Sequence, residues 1–338
     1  MPLARFSKYP AVHILTVTIC LASTAQALTI NLPSGSSAGT INVAIRNVCS
    51  AGGGTVRLAA GKYKISGSIL MNSRVTLEGA GISNTIILGP ANPYTWTMIL
   101  STGDGLHDIT VQNMTIDGNC PQEASGGSNG YVNQAGVDAV SFSYGAMNNV
   151  TYENLEVKNC SVGMHGANVN SYRVIDCTVH DCGMWVREAL WQHDLYFNAC
   201  ENVLLSNSVF KNSWQGCGIH LDSTTGQGST WTLSHCTASE NSECGILIQN
   251  GINNVTVDHC TLSHNGYGAN YTRNQQGEDG MNFGGGSGSL INENRFSSNR
   301  GFGLQVFTGS GSITENASYA NELGQYAIYG SWRQIGNH

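Results

Sequence analysis

Three side chains suited to proton transfer recur at matching positions of short β-type segments in the middle of the chain. His165, Tyr196 and His220 each follow an apolar residue in "GMHGA", "DLYFN" and "GIHLD". Histidine and tyrosine can take up or release a proton, and neighbouring strands lie about 5 Å apart. If these segments stack, we expect the three side chains to form one patch with acid–base chemistry.

Aligned by the pattern Gly-φ-x-φ-x, the segments place their φ residues in a core and their x residues outside it. The predicted outward column is Ser141, His165, Tyr196, His220, Leu247, Asn282, Gln305 and Tyr329. Two flanking residues complete the catalytic candidates, His193 and Asp222. The predicted substrate-binding residues are the amides Asn198, Gln249, Asn282 and Gln305, and Arg187 and Arg273 in intervening loops.

Such a patch suits a uronic-acid polymer. β-Elimination requires neutralising the sugar carboxylate, removing the C5 proton and protonating the departing O4. His220 and Tyr196 supply a base and an acid in either order, and a loop arginine can pair with the carboxylate. Asp222 is expected to orient His220 or to bind Ca²⁺. The chain has no Cys-x-x-Cys pattern, so a zinc site is not predicted. No other metal site and no other cofactor are predicted.

Two other functions stay open. A glycoside hydrolase would use Asp222 with a second carboxyl group at roughly 5 to 9.5 Å. The candidate second carboxyl groups are those of Asp138, Asp194, Glu278 and Asp279. A non-catalytic protein would use the same patch only to bind polysaccharide.

Two columns of residues along the chain indicate the elements that position this patch. The first column is Met114, Leu155, Cys177, Ser208, Cys236, Cys260, Asn294 and Asn316. The second lies five residues later at Asn119, Cys160, Cys182, Ser213, Asn241, Asn265, Asn299 and Asn321. The offset is constant although the step between members varies, which is typical of stacked coils with insertions on one side.

Within each coil, short runs alternate apolar and polar residues between tight turns, as at Val255, Thr256 and Val257. With no helical runs between them, these strands predict an all-β fold, a right-handed single-stranded parallel β-helix. A short amphipathic helix in "TINVAIRNVCSAGG" is predicted to cap its N-terminal end. Cysteines of one column on adjacent coils are expected to be buried free thiols.

The opening of this pattern resembles a known superfamily. A helix followed by "GGGTVRLAAGKY" and "LEGAG" is similar to the start of the pectate-lyase-like superfamily of secreted β-helix proteins. Within this superfamily, the chain most resembles mannuronan C5-epimerase and polysaccharide lyase modules, through the segments "LEGAG", "DGN" and "NGY". The resemblance implies a polysaccharide substrate. It also implies that His165 is a site residue, although this chain has "GMHGA" where the epimerases have an Asp-Pro-His signature.

The N-terminal segment and the net charge of the chain indicate its cellular location and the kinds of partner that it can bind. Residues 1–27 read as a signal peptide, with Arg5 and Lys8 before an apolar stretch and Ala25-Gln26-Ala27 at its end. Residues 28–338 are then predicted to form a single secreted domain with no membrane span. The net charge of −7 argues against nucleic acid as a partner. The oligomeric state is not predicted.

Overall fold

The computed structural model describes residues 27–91, 96–120, 135–183, 193–223, 227–267 and 277–338. Within these ranges the chain is a right-handed parallel β-helix with one helix near its N-terminus, which confirms the predicted fold class. The predicted signal peptide, apart from Ala27, lies outside the described residues.

The helix α1 spans Ala38–Ser50, and the strands are numbered in chain order. The first fifteen are β1 (Leu28–Leu32), β2 (Gly54–Leu58), β3 (Gly61–Lys64), β4 (Ile69–Leu70), β5 (Val75–Glu78), β6 (Thr85–Leu88), β7 (Ile99–Thr102), β8 (His107–Asp117), β9 (Ala135–Val140), β10 (Met147–Lys158), β11 (Val162–Ala167), β12 (Val169–Ile175), β13 (Thr178–His180), β14 (Leu195–Asn198) and β15 (Glu201–Ser206). The others are β16 (Val209–Lys211), β17 (Ile219–Asp222), β18 (Ser229–Ser234), β19 (Thr237–Ser239), β20 (Ile246–Ile248), β21 (Asn253–Asp258), β22 (Thr261–Ser263), β23 (Met281–Phe283), β24 (Ser289–Asn292), β25 (Arg295–Ser297), β26 (Phe302–Val306), β27 (Ser310–Thr314), β28 (Ala317–Tyr319), β29 (Gly324–Ile328) and β30 (Ser331–Ile335).

Helix α1 covers the N-terminal end of the coils, as predicted. Its N-cap is Ser37, whose Oγ accepts a hydrogen bond from the Thr40 backbone N–H at 3.2 Å. The buried face of the helix includes Ile41, Ile45 and Val48. These side chains cover apolar strand residues that would otherwise form an open end.

The described strands form two parallel sheets. One follows the order β4-β7-β9-β11-β14-β17-β20-β23-β26-β29 and is called here the groove sheet. The other contains the remaining strands and forms the rest of the wall. In both sheets each strand pairs with the corresponding strand of the next coil, so equivalent residues stack along the axis.

The turns hold the predicted ladder of buried amides. Asn265 Nδ2 donates to Asn299 Oδ1 at 2.9 Å, and Asn265 Oδ1 accepts from Asn241 Nδ2 at 3.0 Å. The residue before each of these asparagines is left-handed, as at His264 with φ 57°. This conformation turns the amide inward, where its hydrogen bonds offset the cost of burial.

Between Gly136 and Gly303, one coil departs from the pairing of a ladder residue with a facing glycine. A Cβ on Gly218 would lie 2.6 Å from Asn241 Nδ2, and one on Gly245 would lie 2.8 Å from Asn265 Nδ2, so a ladder asparagine requires a facing glycine. In the departing coil the ladder position is Ser213, and Asp194 stands where its neighbours have glycine. Because serine is shorter than asparagine, we expect the Ser213 position to leave room for the Asp194 carboxyl group.

The cysteines of the described residues are free thiols, and all but Cys49 are buried. Cys160 and Cys182 lie in contact on adjacent coils, as do Cys217 and Cys244, and Cys236 and Cys260. Burial raises the pKa of several of these thiols, including Cys177 and Cys200 to about 12 each. Their role in the coils is therefore to fill apolar space as neutral groups. Among the described residues, no helix is long and apolar enough to cross a bilayer.

Candidate functional site

The three proton-transfer candidates lie side by side on the outer face of the groove sheet. His165 of β11 pairs with Tyr196 of β14, which pairs with His220 of β17. The His165 and Tyr196 rings are stacked with centroids 5.5 Å apart and an interplanar angle of 17°, and the Tyr196 and His220 centroids are 4.9 Å apart. The structure thus brings the three residues into one patch.

Strand alternation explains why these side chains point outward. Their neighbours Leu195, Phe197, Ile219 and Leu221 are fully buried in the core. Tyr196 and His220 are nonetheless only 5% exposed, whereas the His165 side chain is 27% exposed. His165 is therefore the member of the patch that solvent reaches most readily.

The predicted start of the outward column is wrong by three residues. Asp138 of β9, not Ser141, pairs with His165, and its Oδ1 lies 2.8 Å from His165 Nδ1. Ser141 follows the strand, and its hydroxyl donates to Asp104 Oδ1 at 2.7 Å. A shift by an odd number reverses the faces of a strand, and Phe142, which the wrong register places inside, is 75% exposed.

The predicted end of the column is wrong by two residues. Ala327 of β29 pairs with Gln305, and Tyr329 lies beyond the end of that strand. A shift of two keeps the outward face but replaces an aromatic ring with a methyl group. The polar column therefore ends at Gln305, short of the C-terminal coil.

The contact with Asp138 defines the hydrogen-bonding state of His165. The carboxylate accepts the Nδ1 proton, so the neutral ring keeps a lone pair on Nε2. Among the described residues, no hydrogen bond to Nε2 is present. A histidine held in this state can act as a general base.

Tyr196 is held as a protonated phenol. Its hydroxyl accepts from Asn198 Nδ2 at 3.0 Å and donates to Asp222 Oδ2 at 3.4 Å. Burial raises the pKa of Tyr196 to about 12, with a smaller contribution from the Asp222 charge. Tyr196 can therefore donate a proton at neutral pH and cannot act as a base without first losing it.

His220 has a different partner from the one predicted. Its Nδ1 lies 2.9 Å from His193 Nε2, and its Nε2 lies 3.2 Å from Gln249 Oε1. His193 Nδ1 in turn accepts from the Cys217 backbone N–H at 2.9 Å. Burial lowers the pKa of both rings, so both imidazoles are neutral at pH 7.

Asp222 contacts Tyr196 rather than orienting His220 directly. Its Oδ1 accepts from the Ser223 backbone N–H and from Asn250 Nδ2, both at 2.6 Å. With Oδ2 facing the Tyr196 hydroxyl, both carboxylate oxygens already accept hydrogen bonds. Asp222 is also outside the group of potential metal ligands found among the described residues.

That group consists of His193, Cys217 and Glu243, whose ligand atoms lie within 4.8 Å of one another. Burial raises the pKa of Glu243 to about 7, and the Cys217 thiol lies 3.6 Å from its Oε2. Both His193 nitrogens, however, are already engaged by Cys217 N–H and by His220. A metal ion would have to displace one of these hydrogen bonds. We therefore describe the cluster as a hydrogen-bonded group that contacts the patch through His193.

The predicted substrate-binding amides divide into two groups. Asn198 and Gln249 contact the patch directly, through Tyr196 and His220. Asn282 and Gln305 are separated from it by Leu247 and form their own cluster, in which Asn282 Nδ2 donates to Asp279 Oδ2 at 3.1 Å and to Gln305 Oε1 at 3.4 Å. Arg187 and Arg273 lie outside the described residues.

Asp222 has no candidate second carboxyl group on an adjacent strand of the groove sheet among the described residues. Asp138 and Asp222 are three strand spacings apart, roughly 14 Å or more. Asp279 precedes β23, two strands beyond the strand of Asp222, and Asp194 is buried at a bend. Asp138 is therefore too far from Asp222 to form the spacing of roughly 5 to 9.5 Å that glycoside hydrolysis requires.

Comparison with known proteins gives a family and two kinds of relative. Residues 97–277 and 195–335 match the family model described as "Right handed beta helix region". Mannuronan C5-epimerase AlgE2 of Azotobacter vinelandii is 28% identical over 67% of this chain and 22% of its own length. Alginate lyase 7 of the same organism is 31% identical over 42% of this chain and 18% of its own length. The chain thus spans about a fifth of the length of these relatives.

A solved structure shares the same fold over nearly the whole chain. The alginate lyase from Paenibacillus sp. str. FPU-7 superposes with a TM-score of 0.60, covering 92% of this chain and 99% of that one. At 12% identity, this similarity concerns the fold alone.

Proposed function

Because the chain belongs to the right-handed β-helix family, and its curated relatives act on polysaccharides, we propose that its groove removes the C5 proton of a uronic-acid polymer and eliminates the sugar at C4. The observation that carries this proposal is the contact of Asp138 with His165, stacked on Tyr196. In this proposal the two rings, which lie on adjacent strands, are the general base and the general acid.

His165 is the base in this reaction. Its Nε2 lone pair is available because Nδ1 is bound to Asp138, whose charge stabilises the imidazolium that forms. His220, which the sequence predicts as an acid or a base, has another ring facing Nδ1 and an amide oxygen facing Nε2.

Tyr196 is the acid. As His165 takes the C5 proton, the electron pair of that C–H bond becomes the C4–C5 double bond and the C4–O4 bond breaks. The Tyr196 hydroxyl gives its proton to the departing O4, leaving a tyrosinate beside an imidazolium. Proton transfer from the imidazolium to the tyrosinate, through solvent, restores the site.

The arrangement favours elimination over epimerisation. His165 and Tyr196 project from the same face of one sheet, so they approach a bound sugar from the same side. Inversion at C5 requires a proton delivered from the opposite side of the ring. Elimination requires only that the acid reach O4 next to the carbon that the base has deprotonated.

The substrate class follows from the relatives and from the chemistry. A C5 proton is acidic enough to remove only where a carboxylate is attached, as in alginate or another polyuronate. Arg187 and Arg273 are proposed partners of that carboxylate, and the extracellular space is the proposed location. Polysaccharide of this kind would lie along the groove sheet, across its stacked coils.

The test is incubation of the full chain with polymannuronate, polyguluronate and polygalacturonate. We expect the ultraviolet absorbance of an unsaturated uronate to rise with one of them. C5 inversion without cleavage would indicate epimerisation, and new reducing ends without a double bond would indicate hydrolysis. Binding without any product would indicate a polysaccharide-binding protein. Each of the last three results contradicts the elimination.

A further inference from the structure

The tautomer of His220 is fixed by a chain of hydrogen bonds that begins at a peptide group. The Cys217 backbone N–H can only donate, so the His193 Nδ1 that it contacts carries no proton. The proton of neutral His193 is therefore on Nε2, which makes His220 Nδ1 the acceptor of the next bond. The proton of neutral His220 must then be on Nε2, facing the Gln249 oxygen.

The surroundings oppose every other state of His220. A proton on its Nδ1 would face the Nε2 proton of His193 at 2.9 Å, so two donors would meet in a buried site. Both rings are about 95% buried, which disfavours the imidazolium of either. The titratable groups nearby are Tyr196 and Asp222 beside His220, and Cys217 and Glu243 beside His193.

We propose that His193 is a positioning residue that holds His220 as a neutral hydrogen-bond donor, and that His220 Nε2–H stabilises the negative charge that develops on the uronate carboxylate when C5 is deprotonated. The second half of this inference rests on the proposed function. A neutral imidazole can serve in this way because it donates without first having to lose or gain a proton. His220 would exchange its bond to Gln249 for one to the substrate.

His165 and His220 look equivalent in the sequence but have different hydrogen-bond partners. His165 has an anionic partner on Nδ1 and, within the described part of the chain, no hydrogen-bond partner on Nε2, which is the arrangement of a base. His220 has a donor partner on Nδ1 and a proton on Nε2, which is the arrangement of an electrophile. Tyr196 lies between them and supplies the proton for the leaving oxygen.

The test uses the full chain labelled with ¹⁵N-histidine, without substrate. His220 is assigned by comparison with His220→Gln, and its two ring nitrogens are distinguished by long-range ¹H–¹⁵N correlation. We expect neutral His220 with the proton on Nε2 throughout pH 6 to 8. An Nδ1–H tautomer, or an imidazolium at pH 7, would overturn the proposal.

Two variants test the role of His193. His193→Gln keeps a side-chain N–H able to face His220, and we expect it to retain the tautomer and most of the turnover. His193→Leu removes that donor, and we expect a mixed tautomer and a fall in kcat of roughly 10- to 100-fold with little change in KM. An unchanged His220 spectrum in His193→Leu would contradict the positioning role.

The control is His235→Gln, at an exposed histidine in the turn between β18 and β19 of the other sheet, which should change neither quantity. The outcomes also distinguish the two proposals. The expected tautomer without turnover of any polyuronate would refute the elimination and leave the hydrogen-bond chain standing. Turnover with the opposite tautomer of His220 would refute the hydrogen-bond chain and leave the elimination standing.

Discussion

Asp138 and His165 occupy paired positions on β9 and β11, with the carboxylate Oδ1 2.8 Å from the ring Nδ1. The contact links a partly buried strand position to the most exposed ring of the patch. It distinguishes this histidine from His220, which has no carboxylate on either ring nitrogen among the described residues.

Replacing Asp138 with asparagine should lower kcat while leaving substrate binding nearly unchanged. The amide cannot stabilise the imidazolium as a carboxylate does, and the Nδ1 proton would no longer be fixed. We expect a fall of roughly 10²- to 10⁴-fold, measured by initial rates over a range of substrate concentrations. Ser141→Ala is the matched control, because Ser141 contacts Asp104 and should affect turnover little.

Tyr196→Phe should block protonation of the leaving oxygen without removing the base. We expect turnover to fall by roughly 10²-fold or more. In D₂O, C5 of the recovered polymer should still exchange its proton, which nuclear magnetic resonance of the polymer would detect. Full turnover by this variant would show that another group protonates O4.

Asp194 should make stability depend on pH. Burial raises the pKa of its carboxyl group well above the ordinary 3.8, and its oxygens lack a hydrogen-bond partner of normal geometry among the described residues, although the nearby Cys182 backbone opposes this rise in part. Because the folded pKa is the higher one, the full stability is present below about pH 4 and falls as pH rises towards the folded pKa.

The measurement for Asp194 is the free energy of unfolding of the native chain and of Asp194→Asn between pH 4 and pH 8. The difference between the two should grow in favour of Asp194→Asn as pH rises. A constant difference over this range would show that the Asp194 carboxyl does not stay protonated on folding.

Asp194 and Ser213 should be strongly coupled in their effect on stability when they are replaced by the glycine and asparagine found at the equivalent positions of the next coil. Ser213→Asn alone places an amide against the Asp194 side chain, and Asp194→Gly alone leaves a cavity beside Ser213. The double variant restores the glycine and asparagine pair seen at Gly218 and Asn241. We expect an interaction free energy of about 1–3 kcal/mol from denaturant unfolding of all four proteins. Simple additivity would contradict the compensation.

The sequence predicted the fold and the centre of the site because both depend on alternation. The columns that contain Cys260 and Asn265, and the apolar strand residues such as Leu195 and Phe197, recur from coil to coil, and they fix which side chains point inward. His165, Tyr196 and His220 then fall on one outward face without knowledge of longer-range contacts.

The predicted ends of the outward column were wrong because alternation alone does not fix the register between strands. The coil that contains Asp138 follows an insertion, so its alignment with the next coil could not be determined from the sequence. The resulting shift of three residues placed Ser141, instead of Asp138, beside His165. The partners of each histidine could not be predicted either, since the contact of His193 with His220 depends on rotamers and on the Cys217 peptide.

The most direct test of the account is the action of the native chain and of His165→Gln on polyuronates, followed by ultraviolet absorbance and by mass spectrometry of the products. We predict an unsaturated uronate from the native chain and none from the variant, with both proteins folded to the same extent. Undiminished formation of that product by His165→Gln would contradict the assignment of His165 as the base.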